Sequence, residues 1–162
     1  MGGTTASRRR AGVCSDLYDR QMSWASSEGV RRSMQSNRGK DTKLELRVRR
    51  ALHALGLRYR LQRKVPGSNR RTIDVAFPRQ RVAVFIDGCF WHGCPTHHTV
   101  ARTNGDYWAA KVARNRQRDQ DTDRLLAEAG WTSARFWEHQ STEEIVDRIV
   151  RLVRSDDRNE GA

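Results

Sequence analysis

Within DTKLELRVRRALHALG, Leu44, Val48, Leu52 and Leu55 fall four, four and three residues apart. That spacing predicts an amphipathic helix over 41–56, capped by Asp41 or Thr42 and stopped by Gly56. The period then shortens to two. LRYRLQRKV alternates and predicts a strand over 57–65, PGSNRR has the chemistry of a turn, and TIDVAF predicts a second strand over 72–77. RVAVFIDG is apolar almost without interruption, which suits a strand covered on both faces. Helical spacing returns in DYWAAKVARNRQRDQDTDRLLAEAG and ends at Gly130. WTSARFWEH then predicts a fourth strand, and STEEIVDRIVRLVRS a capped final helix.

The predicted order is helix, three strands, helix, strand, helix. It implies an α/β fold with a central mixed sheet flanked by helices. A chain of 162 residues suits one domain with a modest core. Residues 1–27 are rich in Ser, Gly, Thr and Arg without periodic apolar positions, so they are expected to be a flexible tail. The domain is placed at 28–155, followed by a short disordered tail at 156–162. No apolar run approaches the ~20 residues of a membrane span, and no apolar stretch follows the N-terminal arginines, so a cytoplasmic protein without membrane contact is expected.

Charge narrows the function. Lys and Arg outnumber Asp and Glu by 31 to 19, a formal net charge of +12, which favours a polyanionic partner and above all nucleic acid. The loop VFIDGCFWHGCPTHH narrows it further, because turns need none of its Cys, His and aromatic residues. Cys89 and Cys94 stand beside histidines, which in a reducing compartment indicates metal ligation rather than a disulfide; Cys14 stands apart. Cys89, Cys94 and His97 form Cys-x4-Cys-x2-His, and His139 at the end of the fourth strand offers the last corner of a structural zinc site, with His98 the alternative to His97. Asp74 falls inside a strand, where a carboxylate is costly unless exposed, paired or metal-bound. With a histidine-bearing loop close behind, it fits magnesium-assisted cleavage of a phosphodiester.

These motifs carry a resemblance. IDGCFWHGCPTHH, preceded by MQSNRGKDTKLELRVRRALHALGLRYRLQ and followed by DYWAAKVARNRQRDQDTDRLLAEAGWTSARFWEH, resembles the very-short-patch (Vsr) mismatch repair endonucleases from about Arg31 to His139. The resemblance implies a restriction-endonuclease-like three-layer sandwich with a zinc-clipped loop. It also implies a magnesium-dependent nickase that cuts double-stranded DNA 5′ of the thymine in T:G mismatches left by deamination of 5-methylcytosine. Carried over by position, Asp74 matches the magnesium-binding aspartate and His92 the histidine that acts on the attacking water. Glu45 and Asp119 match acidic residues that support the histidine and the water shell of the metal. Phe90 and Trp91 match an aromatic wedge that enters the duplex beside the mismatch.

The implied partner is a duplex with a T:G mismatch, with mismatch-repair accessory proteins as further partners, for a monomer acting at the nucleoid. Three positions depart from the family pattern: His139 stands where many members have Cys, Asp87 where the best-known form has a histidine, and Ile73 where proline is common. Two other functions stay open at this point. A restriction-type endonuclease would cut both strands at a fixed sequence and would not need the aromatic pair. A non-catalytic zinc-clipped DNA-binding module would need Asp74 and His92 only for folding.

Overall fold

A computed structural model describes residues 41–98 and 104–159, with side chains to 155. The N-terminal tail expected over 1–27, and Cys14 with it, lie outside the described residues. Helix α1 (Lys43–Ala54) starts at Thr42, whose Oγ1 accepts the Glu45 N–H at 3.2 Å. The Glu45 carboxylate reaches back to the Asp41 N–H at 3.0 Å, so the first turn is capped from both sides. Leu44, Val48 and Leu52 are buried as their spacing requires. Leu55 is not: the helix ends at Ala54, and Leu55 is the exposed C-cap.

Four strands follow the predicted order: β1 (Arg60–Lys64), β2 (Thr72–Phe77), β3 (Val82–Asp87) and, after helix α2 (Gly105–Glu128), β4 (Thr132–Trp137). They form one sheet in the order β1-β2-β3-β4. β1, β2 and β3 pair antiparallel, and β3 pairs β4 in parallel, so the sheet is mixed. A parallel pair needs a crossover, and α2 supplies it. Helix α3 (Thr142–Asn159) opens with a capping box: Ser141 Oγ accepts the Glu144 N–H and the Glu144 carboxylate accepts the Ser141 N–H, each at 3.2 Å. It runs on to Asn159, past residue 155 where the sequence pattern ends the domain.

One face of the sheet packs against α1 and α3 through Val48, Leu52, Ile145, Ile149, Val153 and the β-residues Val75, Phe77, Val82 and Val84. The other face meets Leu126 of α2 through Ile73, Ala76, Ala83 and Phe85. The layers are therefore helix, sheet, helix, the sandwich expected for a restriction-endonuclease-like fold. β1 is shorter than its alternation predicts. Leu57 and Tyr59 precede it and pack onto the α1/α3 core, where the Tyr59 hydroxyl donates to the Arg49 carbonyl at 3.0 Å. None of the described helices is long and apolar enough to cross a membrane.

One irregularity matters for function. Strict alternation would put Ile73, Val75 and Phe77 on the same face, yet Ile73 packs toward α2 while Val75 and Phe77 pack toward α1 and α3. The strand changes phase at Asp74. Across from it, the β1–β2 register runs Arg60↔Ala76 and Leu61↔Val75, then resumes at Arg63↔Ile73, leaving Gln62 with a φ of 51° opposite Asp74. The carboxylate of Asp74 meanwhile accepts the backbone N–H of Ile86 at 3.1 Å. The Asp74 side chain takes a backbone N–H of β3, and Gln62 opposite it on β1 leaves the extended region without a change of register.

The faces of α1 can be checked directly. Leu52→Ala should cost about 2–5 kcal/mol of unfolding free energy, as core truncations do. Leu46→Ala, at a position 38% exposed, should change it by no more than about 0.5 kcal/mol in the same urea titration.

Candidate active site and metal cluster

β3 and β4 end side by side because they are parallel, with Asp87 in register with Trp137. A cleft of about 280 Å³ opens at this end, walled by Asp74, Asp87, His92, Asp119 and Arg135, with Arg70, Arg71 and Arg118 adding positive charge. Each element contributes: β2 gives Asp74, β3 gives Asp87, the following turn gives His92, α2 gives Asp119 and β4 gives Arg135. Burial pushes the Asp74 carboxyl up to about 6. The Ile86 N–H works against that rise, the charges of Glu45 and Asp87 add to it, and Arg49 subtracts.

His92 Nδ1 lies 2.5 Å from the Asp119 carboxylate. Burial alone would raise Asp119, but the His92 hydrogen bond and the charges of Arg135, His92 and Arg118 outweigh it and hold the carboxyl below its usual range. Asp119 is thus an anion that accepts, Nδ1 carries the proton, and Nε2 is the nitrogen able to take another. Asp87 is pushed up by burial against the pull of Arg135, which donates to both its oxygens at 3.1 and 2.9 Å. It also sits 3.6 Å from His92 Nδ1.

Glu45 is placed differently. It is buried on α1, paired with Arg49 at 2.9 Å and engaged in the helix cap, and it does not line the cleft. Its effect on Asp74 is electrostatic. Of the four residues matched to the catalytic centre, Asp74, His92 and Asp119 share the cleft.

The turn after β3 is fastened by α2. Asn115 Nδ2 donates to the Trp91 carbonyl at 2.8 Å, and Arg116 donates to the carbonyls of His92, at 3.2 Å, and Gly93. Gly93 has a φ of +63°, and a Cβ there would meet Val112 Cγ1 at 2.8 Å, so the position excludes a side chain. Beyond it Cys89, Cys94, His97 and His139 gather, their ligating atoms all within 4.8 Å of one another. Cys89 Sγ and Cys94 Sγ lie 3.1 and 3.6 Å from His139 Nδ1, and Cys94 Sγ lies 4.0 Å from His97 Nδ1.

The edges of a tetrahedron of S and N ligands around zinc are about 3.3–3.8 Å, so the donor set and its spacing fit that ion. Burial raises the Cys94 thiol, but hydrogen bonds from Thr96 and His97 outweigh it and bring the thiol down to about 7. Its neighbour Cys89 is pushed up to about 11 by burial and by Cys94. His98 is outside the group; its ring packs against Phe90 instead. Of the two histidines the sequence left open, the fold brings His97 to the cluster.

Phe90 and Trp91 stand edge to face, 5.2 Å between centroids and half-buried. Trp108, in the first turn of α2, touches both at 5.5 and 5.7 Å. Tyr107 adjoins Trp108 at 5.2 Å. The aromatic patch is therefore larger than the pair legible in the loop. Trp108 escaped notice because an aromatic at a helix start reads as core, although its neighbour Tyr107 was a usable signal. Arg135 escaped too, as an alternating polar residue in a strand.

A carboxylate carried in a sheet, a histidine–aspartate pair in a basic cleft and a thiol–imidazole cluster beside it are the parts of a nuclease of the α/β class. Residues 25–102 match the family described as DNA mismatch endonuclease Vsr. The chain is 44% identical over 125 residues to the type II nicking enzyme V.NaeI of Lentzea aerocolonigenes, covering 75% of each. It is 42% identical over 116 residues to V.XorIIP of Xanthomonas oryzae, a type II nicking enzyme, covering 70% of this chain and 82% of that one. It is 31% identical over 112 residues to the DNA mismatch endonuclease Vsr of Escherichia coli, covering 66% and 67%. The chain belongs to the Vsr family of DNA endonucleases.

Asp74 gives the site a measurable signature. In the folded chain its carboxyl holds a proton up to about pH 6, against the ordinary 3.8. The native state therefore binds more protons than the unfolded chain between those values, and stability falls as pH rises through them. In magnesium-free buffer Asp74→Asn, which keeps an acceptor for Ile86, should be more stable than wild type at neutral pH by up to about 3 kcal/mol. The gap should close below about pH 4; a gap that is the same at every pH would contradict this account of Asp74.

Proposed function

We propose that this chain nicks double-stranded DNA on the 5′ side of the thymine in a T:G mismatch, such as deamination of 5-methylcytosine leaves, by magnesium-assisted hydrolysis. The observation that carries the reading is that Phe90, Trp91 and His92 are consecutive on one turn, fixed by Asn115 and Arg116. Rings that enter a base stack and an imidazole that acts at the backbone are thus held in one rigid unit. Unstacking a base step costs a few kcal/mol, less at a mismatch, so the rings insert preferentially where pairing is weak. The names of the relatives in Lentzea and Xanthomonas describe nicking and that of the E. coli relative describes mismatched DNA, which favours a single-strand cut over restriction of both strands.

In this reading Arg70, Arg71 and Arg118 draw phosphates into the cleft. His92 takes a proton from the attacking water at Nε2, and Asp119 holds the ring and stabilises the imidazolium. Asp74 is the residue that would hold magnesium, its high carboxyl pKa marking a buried acid to which a cation is favourable. A magnesium ion there supplies charge neutralisation at the scissile phosphate and acidifies water. Cys89, Cys94, His97 and His139 would hold a structural zinc that pins the turn after β3 to the end of β4.

The test is a pair of duplexes differing only in T:G against C:G, incubated with magnesium and resolved on a denaturing gel. Wild type should nick the T:G duplex 5′ of the thymine, and Asp74→Ala should bind it without cutting. Trp91→Ala should stay folded and keep its salt-dependent affinity while losing the preference for T:G. A folded Trp91→Ala that still separates the two duplexes as sharply as wild type would remove the wedge.

Metal analysis of the purified protein should find about one zinc per chain, and Cys94→Ala should lose both the metal and thermal stability. Folded wild-type protein without zinc would refute that assignment.

A further inference from the structure

Arg135 lines the cleft, yet its donors turn toward the protein. Nη1 donates to both oxygens of Asp87 at 3.1 and 2.9 Å, and Nε to both oxygens of Asp123 at 3.2 and 3.1 Å. Nη2 donates to the Asp119 backbone carbonyl at 3.4 Å and lies 3.5 Å from the Asp119 carboxylate. The face of the guanidinium covers the Phe85 ring at 4.5 Å, next to it in the β3–β4 register. Each nitrogen is thus committed to protein oxygens, and the planar group is clamped between a strand partner and three carboxylates from β3 and α2. Such a cation is not arranged to grip a phosphate.

We infer that Arg135 is a positioning residue for nicking: its guanidinium fixes Asp87 and Asp119 relative to the sheet and, through Asp119, fixes the imidazole of His92. The inference rests on the reading of His92 as the group that acts on water. Asp119 sits on α2 and Asp87 on β3, so nothing in the backbone alone locks one to the other. Arg135 does so with a fork, because separate nitrogens address separate acids in one rigid plane. A lysine offers a single point charge and cannot span them. The same geometry assigns Asp87 to Arg135. Both its oxygens accept from Nη1, so it serves as the anchor of the guanidinium.

The consequence for rate follows from the tolerance of proton transfer to misplacement: a shift of about 1 Å costs about a hundredfold. Arg135→Gln, and the pair Asp87→Asn/Arg135→Gln, which removes one charge of each sign together, are therefore compared with Arg135→Lys on the full chain. Three quantities are read: the melting temperature, kcat against KM for the T:G duplex, and the NMR signal of the proton between His92 Nδ1 and Asp119, assigned by its loss in Asp119→Asn.

In the Gln variants kcat should fall about a hundredfold with KM changed by no more than about twofold, and the His92 signal should shift or broaden. Arg135→Lys should melt close to wild type and still fall short of its kcat by tenfold or so. If Arg135→Gln does not fold, the pair carries the comparison. A folded Gln variant with wild-type kcat and an unmoved His92 signal overturns the inference, and so does full recovery of kcat by lysine, which would leave charge alone as the cause. If wild type itself does not nick the T:G duplex, the proposed function falls, and the NMR signal still decides the role of Arg135: unmoved in the Gln variants, it overturns the positioning; displaced, it supports it.

Discussion

The parallel pairing of β3 with β4 is the constraint from which the rest of this molecule is built. Antiparallel neighbours would send the residue after β4 to the far end of the sheet. Parallel ones bring it beside the residue after β3, so Cys89 and His139, 50 positions apart, end within 3.1 Å. The same pairing demands a crossover, and the crossover is α2, which delivers Asp119 to His92 and Asn115 and Arg116 to the turn. Cluster, dyad and aromatic platform are three results of one strand direction. The backbone of Glu138 continues the connection, donating to the Asp87 carbonyl at 3.0 Å, while its carboxylate accepts the Cys89 N–H at 2.7 Å.

Such a site is expensive to fold. Glu45 and Asp87 are buried, and Asp74 and Asp119 are largely so, within a small domain. The costs are met locally: Arg49 lies on Glu45, Arg135 on Asp87, and the imidazole of His92 on Asp119. Among the described residues Asp74 is met by the backbone N–H of Ile86, and burial outweighs that bond and keeps its pKa raised.

How far the sequence could be read follows the range of the forces involved. The helix of Leu44, Val48 and Leu52 and the doubly covered strand around Val84 are statements about period, and period is local, so both were legible. The cysteines and histidines were legible because their side chains have few other uses in a turn. Arg135 was not: in TSARFW it occupies a position that alternation assigns to solvent, and only α2 and β3 folding over it reveal three acids. The choice between His97 and His98 turned on which ring the chain reversal at Gly93 and Cys94 directs toward His139, and no spacing rule states that. Glu45 shows the opposite case. Its position is the N3 site of a capping box, a local pattern visible in DTKLE, and that structural duty accounts for its contacts more fully than the cleft does. The phase change at Asp74 had no signature at all, since TIDVAF alternates as any strand would.

The departure of Gln62 from the extended region reaches further than the cleft. β1 lies at the margin of the four-stranded sheet and carries Arg60, Arg63 and Lys64 on an exposed ribbon. A flat ribbon with unused amides is a template on which a second chain can grow, and mutual repulsion between cations is one way to discourage it. Gln62, turned to a positive φ in the middle of five residues, breaks the straight run of amides that such growth requires. The residue facing Asp74 across the ladder is thereby also the one that interrupts the amide row along the margin of the sheet.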